Sequence, residues 1–154
     1  MKKFAFILFP ALSIGVGALS GYFTRTGLET VYPLLEKSEL TPPGGVFPIV
    51  WTVLYLLMGL GMALVVRKGG PGTGRSVFLW ITQLGLNCTW SLLFFNSGNY
   101  LGALVCLAVL WFVILAMTIS FAAKSRLAAW LQVPYLAWVG FAGYLNAAVW
   151  LLNA

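Results

Sequence analysis

Residues 46–66 read VFPIVWTVLYLLMGLGMALVV, an apolar run without a single Asp, Glu, Lys or Arg. An α-helix rises 1.5 Å per residue, so about 20 such residues cross a hydrocarbon core roughly 30 Å thick. A membrane-spanning β-strand would instead alternate apolar and polar side chains over about 10 residues. Four further charge-free runs flank this one, at 4–23, 77–95, 101–123 and 127–152. The predicted fold is an all-α membrane protein, a five-transmembrane-helix bundle forming a single domain over residues 1–154.

Composition points the same way. Of 154 residues, 61% are hydrophobic, 16% aromatic and only 8% charged, and the mean hydropathy is +0.96. A soluble domain carries about 25% charged residues and needs them for its polar skin. There is no histidine, and the only acids, Glu29, Glu36 and Glu39, fall in one short stretch. Cys88 and Cys106 stand alone in apolar segments. These counts exclude a metal centre, a Ser-His-Asp or Cys-His nucleophile and a CxxC pair. The net charge of +6 is scattered at segment ends, which is membrane-flanking charge rather than a nucleic-acid patch.

The connections differ in kind. Residues 96–100 and 124–126 are tight turns, and the Gly-rich stretch 67–75 lacks the ending of a phosphate-binding loop. Residues 24–45 form a much longer loop that holds all three acids, Pro42-Pro43 and Gly44-Gly45. A long loop in a compact bundle is usually functional, and this one is expected to be a lid. Lys2, Lys3, Arg67, Lys68, Arg75, Lys124 and Arg126 all fall on one side of a five-span bundle. That side is therefore cytoplasmic, with the N-terminus, and the lid faces out. Met1-Lys2-Lys3 and Ala18-Leu19-Ser20 also allow a signal-peptide reading. The apolar run exceeds the 7–15 residues usual for such a segment, so a retained helix is expected. Its stripe of Ser13, Gly17 and Gly21 suits close helix packing within the chain.

A charge-free interior disfavours proton- or ion-coupled transport, which needs an ionisable residue within the membrane. What the spans carry is aromatic surface. Trp80, Trp130 and Trp150 lie near segment ends, where an interfacial belt would place them. Trp111 and Trp138 are mid-span, and Trp51 and Trp90 are a turn or more inside. Such indoles either pack helices together or wall a pocket for a flat aromatic ligand. Spacing favours the pocket. Trp51 and Tyr55 share a face of the second span. Gln83, Asn87 and Ser91 make a polar stripe on the third, beside Trp90 and Phe94. Trp138, Ala142 and Leu145 share a face of the fifth, with Asn146 adjacent. Asn87 and Asn146 could bridge the third and fifth spans, and Gln83 and Ser91 could equally be inter-helix glue. The pocket mouth is expected beneath the lid.

These residues resemble the TspO/MBR family, the tryptophan-rich sensory proteins related to the mitochondrial translocator protein (peripheral benzodiazepine receptor). The resemblance rests on Thr41-Pro42-Pro43, Phe47-Pro48, Trp51, Leu54-Tyr55 and Met58-Gly59. It continues through Gln83-Leu84, Leu86-Asn87, Trp90-Ser91 and Phe94-Phe95. It closes with Pro134 to Trp138, Phe141-Ala142 and Tyr144 to Asn146.

The resemblance implies a homodimeric five-helix protein whose pocket is capped by the first loop. The implied ligands are porphyrins such as protoporphyrin IX and haem, and isoquinoline- or benzodiazepine-type drugs, with no cofactor required. Its pocket positions correspond to Tyr32, Pro42, Phe47, Trp51, Trp90, Ser91, Trp138, Ala142 and Leu145. It implies a bacterial cell membrane as the location and a sensing or translocator role. Two alternatives are light-dependent porphyrin degradation, with Trp51 and Trp138 as the reacting indoles, and ion-independent transport of a lipophile. The chain departs from the family at Val31, Ser38 and Leu40, so the lid is expected to pack differently. No basic residue follows Tyr144, so the animal sterol motif is absent. Without histidine, a haem iron gains no imidazole, and porphyrin binding would rest on stacking and shape.

Overall fold

A computed structural model describes residues 2–154; Met1, on which the signal-peptide reading begins, lies outside them. The chain is helical throughout its spans: α1 (Ala5–Thr30), α2 (Val46–Lys68), α3 (Thr73–Ser91), α4 (Tyr100–Ala122), α5 (Arg126–Trp130) and α6 (Val133–Leu152). Among the described residues, five helical stretches are long and apolar enough to cross a membrane, the fifth made of α5 and α6 together. Helices satisfy every interior backbone group within the segment, which lipid cannot do.

The ends follow local chemistry. Asn99 caps α4 by accepting from the Gly102 N–H at 2.8 Å, and Ser125 caps α5 by accepting from Ala128 at 3.2 Å. Gly69, Gly70 and Gly72 all have positive φ, so the turn between α2 and α3 suits glycine. Lys124 Nζ donates to Gly69 O at 2.7 Å and ties that turn to the α4–α5 corner. Pro134 sits in the first turn of α6, where its missing N–H costs nothing. The expected single fifth span is therefore broken at 131–132.

The spans form a ring. α1 packs on α2 and α3, α3 on α4, α4 on α5 and α6, and α2 on α5, with α2 also touching α3 and α4. Small residues bring α1 against α2. Gly59 lies under the Pro10 backbone and Gly17 under the Tyr55 ring, while Ser13 Oγ donates to Tyr55 O at 2.6 Å. Of the expected small-residue stripe, Ser13 and Gly17 thus pack within the chain. An added Cβ at Gly21 would meet nothing within 4 Å.

Three expectations change here. α1 continues to Thr30, so 24–30 belong to a helix and only 31–45 form the lid, beginning with a 3-10 turn at Tyr32–Leu34. The segment is polar, but its hydroxyls are satisfied inside the helix: Thr24 Oγ1 donates to Ser20 O at 2.8 Å and Thr30 Oγ1 to Thr26 O at 2.6 Å. Trp80 is not in an interfacial belt. It is 3% exposed, and its indole donates to Met58 O at 3.2 Å, joining α3 to α2. Trp130, by contrast, is exposed. Finally, the third span ends in a π-helical turn at Leu92–Asn96. The extra residue in that turn lets consecutive Phe94 and Phe95 both reach Tyr32, at 6.2 and 5.7 Å between centroids.

Candidate functional site: an aromatic cavity beneath the lid

A cavity of about 530 Å³ lies among α1, α2, α3 and α6 under the lid. That volume falls in the roughly 300–1,000 Å³ range of small-molecule sites. Tyr32 from the lid, Phe47, Trp51 and Tyr55 from α2, Asn87, Trp90 and Ser91 from α3, Phe94 from the π turn, and Trp138, Ala142, Leu145 and Asn146 from α6 all line it. Pro42 is the one predicted position that does not; its neighbours Thr41 and Gly44 form the roof instead. The reason is local: the double proline stiffens the lid while the flanking residues face the hollow. Among the described residues, no charged side chain lines the cavity.

One wall is a ladder of rings. Tyr55, Trp51, Trp90 and Phe94 follow one another at 5.8, 6.2 and 5.8 Å, each pair inclined by 32–36°. These spacings are those of attractive aromatic pairs. The 3.6-residue period explains the ladder: Trp51 and Tyr55 are one turn apart on α2, and Trp90 and Phe94 one turn apart on α3 and its extension. The second set joins Phe47, Trp138 and Phe141, with centroids 5.8 Å apart at each step.

Hydrogen bonding separates the structural indoles from the available ones. Trp90 Nε1 donates to Asn146 Oδ1 at 2.9 Å, and Asn146 Nδ2 donates to Tyr100 O at 2.9 Å. Trp111, mid-span as expected, donates to Leu136 O at 3.0 Å and fastens α4 to α6. Asn87 does not meet Asn146. Its amide donates to Tyr135 OH at 2.9 Å, and Tyr135 OH donates to Gln83 Oε1 at 2.7 Å. The third and fifth spans are thus bridged by three pairs, Asn87–Tyr135, Gln83–Tyr135 and Trp90–Asn146. Gln83 is buried glue, whereas Ser91 faces the cavity. Among the described residues, the Trp51 and Trp138 indoles and the Ser91 hydroxyl have no such partner, and all three line the cavity.

The sequence reading missed the α1 wall. Gly17, Ala18, Ser20, Gly21, Thr24 and Leu28 all line the cavity. Ala18, Gly21 and Leu28 are also exposed, as are Pro48 and Thr52 on α2. The cavity therefore opens sideways between α1 and α2 as well as beneath the lid. The signal was present in the small residues at 17, 18, 20 and 21, which leave space as well as permit packing.

The lid is strapped to the far end of α6, a contact no motif announced. The Glu36 N–H donates to Asn153 Oδ1 at 3.0 Å, and Asn153 Nδ2 donates back to Glu36 O at 2.9 Å. The Ser38 and Tyr144 hydroxyls bond at 2.7 Å. Lys37 Nζ donates to Tyr32 O and Leu35 O at 2.9 and 3.0 Å, and lies 4.7 Å from the centre of the Tyr32 ring. Exposed bonds of this kind contribute about 1 kcal/mol net. Asn153→Ala should therefore raise ligand association and dissociation rates together about fivefold with little change in affinity. Stopped-flow indole quenching reads both rates; a slower or unchanged dissociation would show that the strap does not hold the lid.

The TspO/MBR family model matches residues 6–151. The chain is 39% identical to a tryptophan-rich protein TspO of Chlorobaculum tepidum, over 96% of this chain and 97% of that protein. It is 38% identical to the human translocator protein, over 96% of this chain and 88% of that one. It is 34% identical to a tryptophan-rich sensory protein of Cereibacter sphaeroides, over 79% and 76% respectively.

Proposed function

The chain belongs to the TspO/MBR family and is an integral, multi-pass membrane protein, and from that premise we propose that it binds a porphyrin-like flat amphipath in a sensing or translocator role. The observation that carries this reading is the tilted ladder from Tyr55 to Phe94, facing a charge-free cavity in which two indole N–H groups have no partner. A planar macrocycle gains stacking and dispersion from such a wall. Its ring edge meets the Trp51 and Trp138 N–H groups and the Ser91 hydroxyl. Its acidic substituents lie toward the lid, where Lys37 holds a positive charge over Tyr32. Iron is not needed for this mode, since the ligand is held by its faces and edge. The names of the relatives, which speak of sensing and translocation, support the role.

The orientation belongs to the same proposal. Seven of the nine basic residues fall in segments on the side opposite the lid, which supports a cytoplasmic N-terminus and a lid that faces out.

Titration with protoporphyrin IX in nanodiscs tests the reading. Indole fluorescence should fall saturably with one site per chain, and Trp51→Phe combined with Trp138→Phe should weaken binding at least tenfold. Quenching that rises linearly without saturation would overturn it, because that is partition into lipid.

A second reading, light-driven porphyrin breakdown, is favoured by the same two unpartnered indoles at the cavity surface. Under illumination with oxygen, porphyrin loss should require Trp51 and Trp138. Equal loss in the double Phe variant, corrected for the porphyrin bound, would remove it.

A further inference from the structure

The cavity shares a wall with a second hollow. Between α2 and α6, on another face of α2, lies a crevice of about 520 Å³. Its α2 side is Ile49, Val50, Val53 and Leu54, and its α6 side includes Pro134 and Ala137 with the rings of Trp138 and Phe141. Every lining residue is apolar or aromatic. Ile49 is 68% and Val53 49% exposed, so the crevice opens outward along two membrane-spanning helices. Water has no place there, because an ordered water needs 2–4 polar partners. The surrounding medium at this depth is hydrocarbon.

Trp138 belongs to both hollows, lining the cavity and the crevice alike. Its ring is held by packing alone, against Phe47 and Phe141 at 5.8 Å each, and its N–H has no partner among the described residues. A gap beside a ring forfeits dispersion outright, a quarter to a half of the well for a gap of about 0.5–1 Å. The partition between cavity and bilayer is therefore fully packed only when something apolar fills the crevice.

We propose that the crevice binds one lipid acyl chain, and that the seated chain holds Trp138 in place as a wall of the cavity. An acyl chain fits because it asks for no hydrogen bond. A sterol hydroxyl or a polar drug group would find no donor or acceptor except the Trp138 indole. The first half of the proposal concerns the crevice alone. The second half, support of the cavity wall, rests on the ligand reading above, and the two halves are read separately.

Nanodiscs made with phospholipid brominated in mid-chain provide the first measurement. Bromine quenches an indole at close range, so the difference between wild type and Trp138→Phe isolates the quenching of Trp138. That difference should be present in wild type without ligand. It should vanish in Ala137→Phe, which fills the crevice from α6 without touching the cavity lining, and in Val53→Phe, which fills it from α2. No Trp138-dependent quenching in wild type, or quenching that persists in both filled variants, would overturn the site. The second measurement is protoporphyrin IX affinity read by porphyrin absorbance. Wild type should bind about fivefold more tightly in phospholipid nanodiscs than in a steroid detergent without acyl chains, a coupling at the low end of the usual range. Ala137→Phe should bind equally in both media. The same dependence on medium in both proteins would overturn the support of the wall. If neither protein binds protoporphyrin at all, the function proposed above falls, and the bromine measurement alone decides the crevice.

Discussion

Replacing Ala142 by tryptophan should abolish saturable protoporphyrin binding while leaving the helical bundle folded. Ala142 is 7% exposed, points from α6 into the cavity and sits one turn beyond Trp138. An indole there would enter a hollow of about 530 Å³ that no side chain fills. In a filled core such an insertion costs about 1–3 kcal/mol; here the empty space accepts it. The ligand, however, loses the same space, so affinity should fall at least 100-fold, or about 2.7 kcal/mol. Ala142→Leu should give an intermediate loss of about tenfold. Fluorescence titration and a thermal melt on the same samples separate the two effects. Undiminished binding by a folded Ala142→Trp protein would place the ligand outside this cavity.

The second large effect is on stability. Gly59→Ala should lower the free energy of unfolding by about 3 kcal/mol, at the upper end for overpacking. A Cβ at position 59 would stand 2.3 Å from both Pro10 Cα and Pro10 N and 2.7 Å from the Phe9 carbonyl carbon. These are backbone atoms of α1, so no rotamer can relieve the clash and the whole helix must move. α1 and α2 would separate just where Ser13 bonds to Tyr55 O. Gly21→Ala, farther along α1 where the cavity opens between the two helices, is the control. Its Cβ meets nothing within 4 Å, so its stability should be no lower than wild type, with a gain of up to about 1 kcal/mol from the better helix former. Unfolding in a graded mixture of mild detergent and sodium dodecyl sulfate measures both. Equal stability of Gly59→Ala and wild type would mean that the two helices are not held at contact distance.

Particular residues show how far a sequence reading reaches. Trp51 and Tyr55 were legible as cavity residues because their spacing is a property of the helix itself. The same holds for Trp138 with Ala142. Trp80 was not legible: its place near a segment end suits a belt, yet its indole bonds to Met58 O on α2. Nothing local to residue 80 states that α2 passes beside it. Asn87 and Asn146 were legible as glue but not as to partner, since Tyr135 and Trp90 arrive from other spans. The Asn153 strap was invisible for the same reason, because its partner Glu36 is 117 residues away.

By itself, the sequence determined that this chain forms membrane-crossing helices, how many there are, and which ring residues share a helix face. Those are matters of hydrocarbon solvation and the 3.6-residue period, and both act along a single segment. Only the tertiary structure decided that α1 supplies a wall, that Trp90 is fastened while Trp51 and Trp138 are not, and that Trp138 lines both the cavity and the crevice between α2 and α6. Those outcomes depend on which helices stand next to one another and how closely glycine lets them approach. That is a matter of packing between segments far apart in the chain, and no single segment encodes it.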